Sequence, residues 1–476
     1  MQQLLINGIW TDAENWQTWQ VINPATEEAV ATVPYGDDAD AVAAIEAAQG
    51  AFSAWASLTP FRRAAFLKKA ADLMRGRLDE FARLTVQESG KPFAEARGEW
   101  WVAADFFEWY AEEGKRAYGY TIPSSRSSKR MSVIYQPIGV VGVITAWNFP
   151  AYNPARAVAA ALGAGCSVVL KPSEYTPLTA MAMVSVLQEA GFPPGVVNLV
   201  NGEPDAIGRA MLEHPGLRKI HFTGSTRVGK LLMDGASPTM TQLSLELGGN
   251  APVIVFPDAD VEALAKAAVV SKCRNAGQVC ISPQRFLVHE QVQEAFAGRA
   301  AEHAAALKVG NGLEAETQVG PLINARQRER VAQLVSDARQ KQAEVLTGGG
   351  IPENLDKGYF FEPTVLTKLS RDARLMQEEV FGPVLPVSSF ASTEEAVELA
   401  NSTPYGLAAY IWTNDLKTAI HVSERLEFGM VGVNEWAPHG TEAPFIGWKA
   451  SGLGHESGPE GLREYMEKKL ISFGGL

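Results

Sequence analysis

Cysteine is scarce in this chain: Cys166, Cys273 and Cys280 are the only three. That is too few for a disulfide framework, and no spacing among them resembles a zinc site, so no metal is expected. Reduced thiols fit a cytoplasmic location. Long apolar runs are missing as well. The longest, "AVAAALGAGCSVVL" between Arg156 and Lys171, is shorter than the roughly 18 residues a membrane span needs, and glycines interrupt it. "MQQLLINGIW" has no basic region leading into an apolar run, so no signal peptide is visible. A soluble protein with no membrane partner is expected.

Positive charge is in deficit. Lys and Arg number 42 against 54 Asp and Glu, a net charge of −12. A nucleic-acid partner needs a clustered basic face and is not expected. An anionic ligand remains open, because local charge governs a pocket. Fixed-period repeats and low-complexity tracts are absent. So is a G-x-G-x-x-G following a strand, the usual dinucleotide fingerprint.

What is present is length and alternation. A chain of 476 residues suits two or three domains. Residues 38 to 114 carry apolar residues at helical spacing, in "DADAVAAIEAAQGAFSAW" and "FRRAAFLKKAADLMRGRLDEFARL". "SGKP" punctuates them. "SSRSSKR" reads as a turn leading into a separate hairpin. From 132 to 247 short β-rich runs alternate with helical runs: "VVGVITA", "SVVLKP", "VVNLV", "RKIHFTGS" and "QLSLELGG" each start or end such a unit. This implies a parallel sheet with helices on its faces, and ligands of such sheets bind at the carboxyl ends of the strands. A second alternating section, from about 251 to 440, suggests a second α/β domain.

The loops after the first sheet's strands carry the chemistry. "ITAWNFP" places Asn148 just past a strand. "LKPSE" does the same for Lys171 and Glu174. "FTGST" puts Gly224 and Ser225 at a helix start, where free backbone N–H groups suit an anion; an ordinary capped helix is the plainer reading. "LELGG" ends a strand with Glu246. A carboxyl in apolar surroundings is costly unless paired or functional, and burial would let it accept a proton near neutral pH. "RNAGQVCISPQRF" holds Cys280, a thiol that taken alone is more often packing than reactive.

"WNFP", "KPSE", "FTGS", "LELGG", "GQVC" and "EEVFGPV" occur in this order. Together they resemble the NAD(P)-dependent aldehyde dehydrogenase superfamily, and the likeness extends from "INGIW" to "SGLG". The resemblance implies an α/β fold with a Rossmann-like cofactor domain (1–120 and 139–246), an α/β catalytic domain (247–445) and a small β oligomerisation element (121–138 and 455–476). It implies a homodimer or homotetramer.

The same resemblance assigns roles. Cys280 is the nucleophile and Glu246 the general base. Asn148 shares the oxyanion hole with the Cys280 backbone N–H. Lys171, Ser173 and Glu174 hold the adenine-side ribose, Gly224 and Ser225 the pyrophosphate, and Glu379 and Phe381 the nicotinamide end. Thr145, Trp147 and Leu247 complete the NAD site. The thiolate attacks an aldehyde, the thiohemiacetal oxyanion gives up hydride, and Glu246 activates water to hydrolyse the thioester. Cys166 and Cys273 are left as packing residues.

Glu174 implies a preference for NAD, with NADP possible, because a 2′-phosphate would meet a carboxylate there. Arg156 and Arg274 match arginines that hold the far carboxylate in succinate-semialdehyde dehydrogenases. "RNAGQVCISP" is also similar to 2-ketoglutarate-semialdehyde dehydrogenases. A short carboxylated semialdehyde is therefore expected. The loop "WAPHGTEAPFIGWKASG" departs from that pattern, with His439 in place of a usual serine region. Tyr152, Trp101 and Trp436 add aromatic bulk. An aromatic or sulfonated aldehyde is the alternative. A CoA-acylating enzyme on this fold is a further alternative, but those relatives lack the glutamate.

Overall fold

The alternation from Val140 to Glu246 folds as the spacing predicts. In this computed structural model, which describes residues 3–475, five parallel strands lie side by side. Val140–Ile144 sits between Ser167–Lys171 and Leu217–Thr223; Val197–Leu199 and Gln242–Glu246 flank them. Antiparallel edges are added by Leu4–Ile6 with Ile9–Thr11 on one side and Gly452–Leu453 on the other.

The central strands Val140–Ile144 and Ser167–Lys171 are mainly apolar on both faces because both faces are covered. Val141, Val143, Val168 and Leu170 pack toward helices Tyr152–Ala164 and Pro177–Ala190. Val140, Val169 and Ile220 pack toward Asp38–Ala56 and Pro204–Glu213. The chain winds outward from Val140–Ile144 in one direction and then in the other. That leaves a crevice at the carboxyl ends, between Ile144 and Thr223.

The long helical run after residue 60 is broken. Pro60–Gly76 and Leu78–Ser89 are separate helices, divided at Arg77, whose φ of −127° is not helical. Phe93–Glu113 follows and packs on both the first of these and Tyr152–Ala164.

The second sheet is also mostly parallel. Ala251–Val255 lies between Pro283–His289 and Ala408–Trp412, with Val384–Phe390, Thr364–Thr367 and Met430–Val433 outside them. Cys280 precedes the strand Pro283–His289. The loop that carries Cys280 therefore lies at the amino end of this sheet and meets the carboxyl end of the first.

A three-stranded sheet stands apart, built from Tyr120–Ile122, Lys129–Pro137 and Met466–Gly474. Residues 455–463 do not join it. His455–Glu456 pairs with Phe445–Ile446, and Gly458–Arg463 packs on Tyr152–Ala164. This return carries Glu456 into the interior. Among the described residues no helix is long and apolar enough to cross a membrane.

Candidate active site

The thiol is presented by a bent loop. Helix Val261–Cys273 ends, and Asn275 and Ala276 follow with φ of 48° and 53°. Gly277 continues at +75°, where a Cβ would lie 2.1 Å from the carbonyl oxygen of Gly382. Left-handed non-glycine residues cost about 1–3 kcal/mol each and persist only where their surroundings hold them. Here they are held tightly. The Asn275 side chain donates to the carbonyls of Asn148 (2.9 Å) and Gln278 (3.2 Å), and the Gln278 side chain donates to the Asn275 carbonyl (3.0 Å). Ile323 N–H donates to Gln278 Oε1 at 2.9 Å.

Asn148 joins this loop to the first sheet. Its Nδ2 donates to the Gln278 carbonyl at 3.1 Å, and its Oδ1 accepts from Asn153 at 3.2 Å. Its own carbonyl accepts from Lys91 Nζ at 2.8 Å. Lys91 is fully buried, paired with Glu99 and set 4.2 Å from the centre of the Phe149 ring. Glu99 in turn accepts the N–H groups of Ala151 (2.7 Å) and Tyr152 (3.1 Å), at the helix start. Asn275, Gln278, Lys91 and Glu99 were not marked by their residue types. Lys91 lies in "SGKP", which reads as turn punctuation.

Glu246 ends its strand with a buried carboxyl whose Oε2 has no hydrogen-bond partner among the described residues. Burial holds it well above the usual carboxylate range, Glu456 adds to this, and Arg156 opposes it. The Cys280 thiol is pushed up to about 12 by burial, with Arg156 opposing and Glu246, Glu379 and Glu456 reinforcing. Both groups favour their protonated forms. A carboxyl raised in this way is, once ionised, a stronger base than an ordinary carboxylate and can take a proton from a neutral nucleophile.

The crevice fits a dinucleotide. Thr145 is buried and its N–H donates to the Lys171 carbonyl at 3.1 Å. Lys171 Nζ lies 3.8 Å from Glu174 Oε2, and Ser173 Oγ lies 3.4 Å from the same oxygen. Ser225 caps helix Thr226–Ala236, and a Cβ on Gly224 would lie 2.3 Å from the Phe222 ring. Leu247 packs against that helix at Gly229. Glu379 Oε1 accepts the Gly249 N–H at 3.1 Å, and burial pushes its carboxyl up to about 7. Phe381, at φ 53°, sets its ring edge-on to Trp147 at 5.4 Å.

Aromatic rings link the two arginines. The Arg274 guanidinium lies 5.2 Å from the centre of Phe149, and Phe149, Tyr152, His439 and Phe445 follow in contact at 6.1, 6.4 and 6.1 Å. Arg156 lies 4.4 Å from the Phe445 ring. The arginines differ in state. Arg274 is exposed and has no ion pair among the described residues. Arg156 is 2% exposed and contacts Glu456 through Nη2, while its Nε and Nη1 have no partner. His439 is kept neutral, lowered to about 4 by burial and by both arginines. Trp101 lies apart from this row of rings, against Arg75, and Trp436 is tilted against Tyr410 and Trp412.

A thiol, a buried carboxyl and an amide donor thus stand near one another beside the crevice at the carboxyl ends of the first sheet. Residues 10–471 match the aldehyde dehydrogenase family. The chain belongs to that family. It is 45% identical to the glutarate-semialdehyde dehydrogenase of Pseudomonas putida, over 99% of this chain and 97% of that one. It is 44% identical to a 3-sulfolactaldehyde dehydrogenase of Pseudomonas putida, over 100% and 97%. The crystal structure of the succinate-semialdehyde dehydrogenase of Burkholderia pseudomallei matches with a TM-score of 0.98 at 46% identity, over 100% and 98%. The protein is an NAD(P)-dependent, non-acylating aldehyde dehydrogenase that oxidises an aldehyde to a carboxylic acid.

Proposed function

We propose that this dehydrogenase acts on a short aldehyde with an acid group at its far end, succinate semialdehyde or 2-ketoglutarate semialdehyde being the type. The observation that carries this is Arg274. It extends from the Cys280 loop, lies on Phe149 and makes no salt bridge among the described residues, the Glu95 carboxyl acting on it only from beyond salt-bridge distance. A guanidinium in that state suits a carboxylate through two parallel N–H contacts. Arg156, Tyr152 and His439 complete the acid end of the pocket. A sulfonated aldehyde is the second reading, supported by the 3-sulfolactaldehyde relative and by the His439–Gly440 loop.

In this reading Cys280 attacks the aldehyde carbon, and the oxyanion is met by the Asn148 amide and the Cys280 N–H. One such donor is worth about 3 kcal/mol. When bound, NAD supplies the hydride acceptor. The Cys280 thioester remains, and Glu246 takes a proton from the water that hydrolyses it. Lys171, Ser173 and Glu174 hold the adenine-side ribose, Gly224 and Ser225 the pyrophosphate, and Glu379 and Phe381 the nicotinamide side, with Thr145, Trp147 and Leu247 completing the cofactor site. Glu174 favours NAD over NADP.

A three-part division belongs to the same reading, with residues 455–463 packed on Tyr152–Ala164 rather than in the small β element, as does a cytoplasmic location. So does a homodimer or homotetramer. The strand Met466–Gly474 has an unpaired edge in the protomer and exposes Leu470 and Phe473, and a second copy would cover such an edge. The test of the substrate is a panel of acid and neutral aldehydes of equal length, assayed by NADH formation. A higher kcat/KM on the acid members is expected; a preference for neutral ones would sink the reading.

A further inference from the structure

Behind Glu246 the first sheet carries an unusual run of polar side chains. His221 and Thr223 alternate along Leu217–Thr223, and their register partners are Ser244 and Glu246. Alternate residues share a face, so these four point the same way. A buried polar face is costly unless its groups find partners.

Ser244 and Lys219 find Glu464, at 2.9 and 3.2 Å. His221, fully buried, uses both ring nitrogens: Nε2 lies 2.7 Å from Glu456 Oε1, and Nδ1 lies 3.3 Å from the Tyr465 hydroxyl. The other Glu456 oxygen contacts Arg156. Glu456 thus stands between an imidazole and a guanidinium, with no solvent to share its charge.

We propose that His221 is a positioning residue for thioester hydrolysis: it holds Glu456, which in turn holds Arg156 and sets the charge that faces Glu246. This rests on the reading of Glu246 as the base. The groups facing Glu456 are Arg156 and Tyr152 from their helix, His221 and Glu246 from the two strands, Tyr110 from Phe93–Glu113, Cys280 from its loop, and Tyr465 beside the last strand. Arg156 and His221 favour its ionised form. Without the imidazole Glu456 ionises less readily, so less negative charge faces Glu246. Arg156 is also less committed. Both changes let Glu246 ionise at lower pH.

The experiment follows the NADH burst and the post-burst rate of the full-length enzyme against pH, with NAD and, as probes, butanal and succinate semialdehyde. The post-burst rate falls as pH falls through the Glu246 value. In His221→Ser this acid limb is expected to move down by about one pH unit, with burst amplitude unchanged. His221→Gln, whose amide N–H replaces the Nε2 donor, returns the limb toward wild type. A merely structural role would lower the rate equally at every pH. An unmoved limb overturns the proposal. Should His221→Ser not fold, Glu456→Gln replaces it; it removes the charge with its shape kept, and its limb must also move down. Glu246→Gln separates the two readings. If it hydrolyses the thioester at the wild-type rate, the base assignment fails. If it stalls after the burst while the His221 limb stays fixed, only the present inference falls.

Discussion

The side-chain amide of Asn148 donates to the backbone carbonyl of Gln278 across 3.1 Å. That contact ties the loop after a strand of the first sheet to the loop that presents Cys280. The Asn148 amide and the Cys280 loop are therefore set relative to one another before any substrate arrives, the arrangement that the proposed oxyanion role of Asn148 would require.

Cys280→Ala is expected to abolish NADH formation while NAD still binds, measured by fluorescence quenching. Glu246→Gln should retain a burst of NADH and lose steady turnover. Steady turnover by the Cys280 variant would remove it as the nucleophile.

The thiol itself has a signature. Burial pushes Cys280 up to about 12. The thiolate is the reactive form, so its fraction grows with pH until that value is passed. Alkylation of the cofactor-free enzyme by iodoacetamide should rise roughly tenfold per pH unit, with no levelling near the ordinary thiol value of about 8.5. A plateau in that region would show that another group draws the proton off.

Arg274→Ala should raise KM for an acid aldehyde far more than for a neutral one of the same length. Loss of a hydrogen bond to a charged group costs about 1.5–3 kcal/mol, roughly 10- to 150-fold. Equal losses on both substrates would take Arg274 out of acid recognition.

Glu174→Ser should weaken NAD use and improve NADP use, because the carboxylate beside Lys171 would no longer repel a 2′-phosphate. Ratios of kcat/KM for the two cofactors check this. An unchanged ratio means the ribose is held another way.

The Lys91–Glu99 pair is fully buried. Removing one partner leaves an uncompensated charge and costs about 3–5 kcal/mol, while replacing both can be nearly neutral. Lys91→Met and Glu99→Gln should each lower Tm clearly, and the double variant should lower it by less than the two together.

Much of this molecule is written along the chain. The strand and helix alternation from Val140 to Glu246, and the loops "WNFP", "KPSE", "FTGS" and "GQVC", are local: period, turn residues and strand ends depend on near neighbours. The break at Arg77 was not legible, since helical spacing continues through it and only packing divides the run. Nor were the partners of buried charges. Arg156 matches a substrate-binding position by sequence, yet in the fold it faces Glu456, which arrives from the far end of the chain on a segment that reads as an edge of the small sheet. His221 sits in an ordinary strand pattern, and its role depends on Glu456 and Tyr465 reaching it. Lys91 looks like a turn residue until Glu99 and the Asn148 carbonyl are brought to it. Charge pairing acts through space over a few ångströms, whatever the separation in sequence. The residue types and their periodicity therefore determined the sheets and the loops that carry the candidate groups, and only the tertiary structure decided which buried charge answers which.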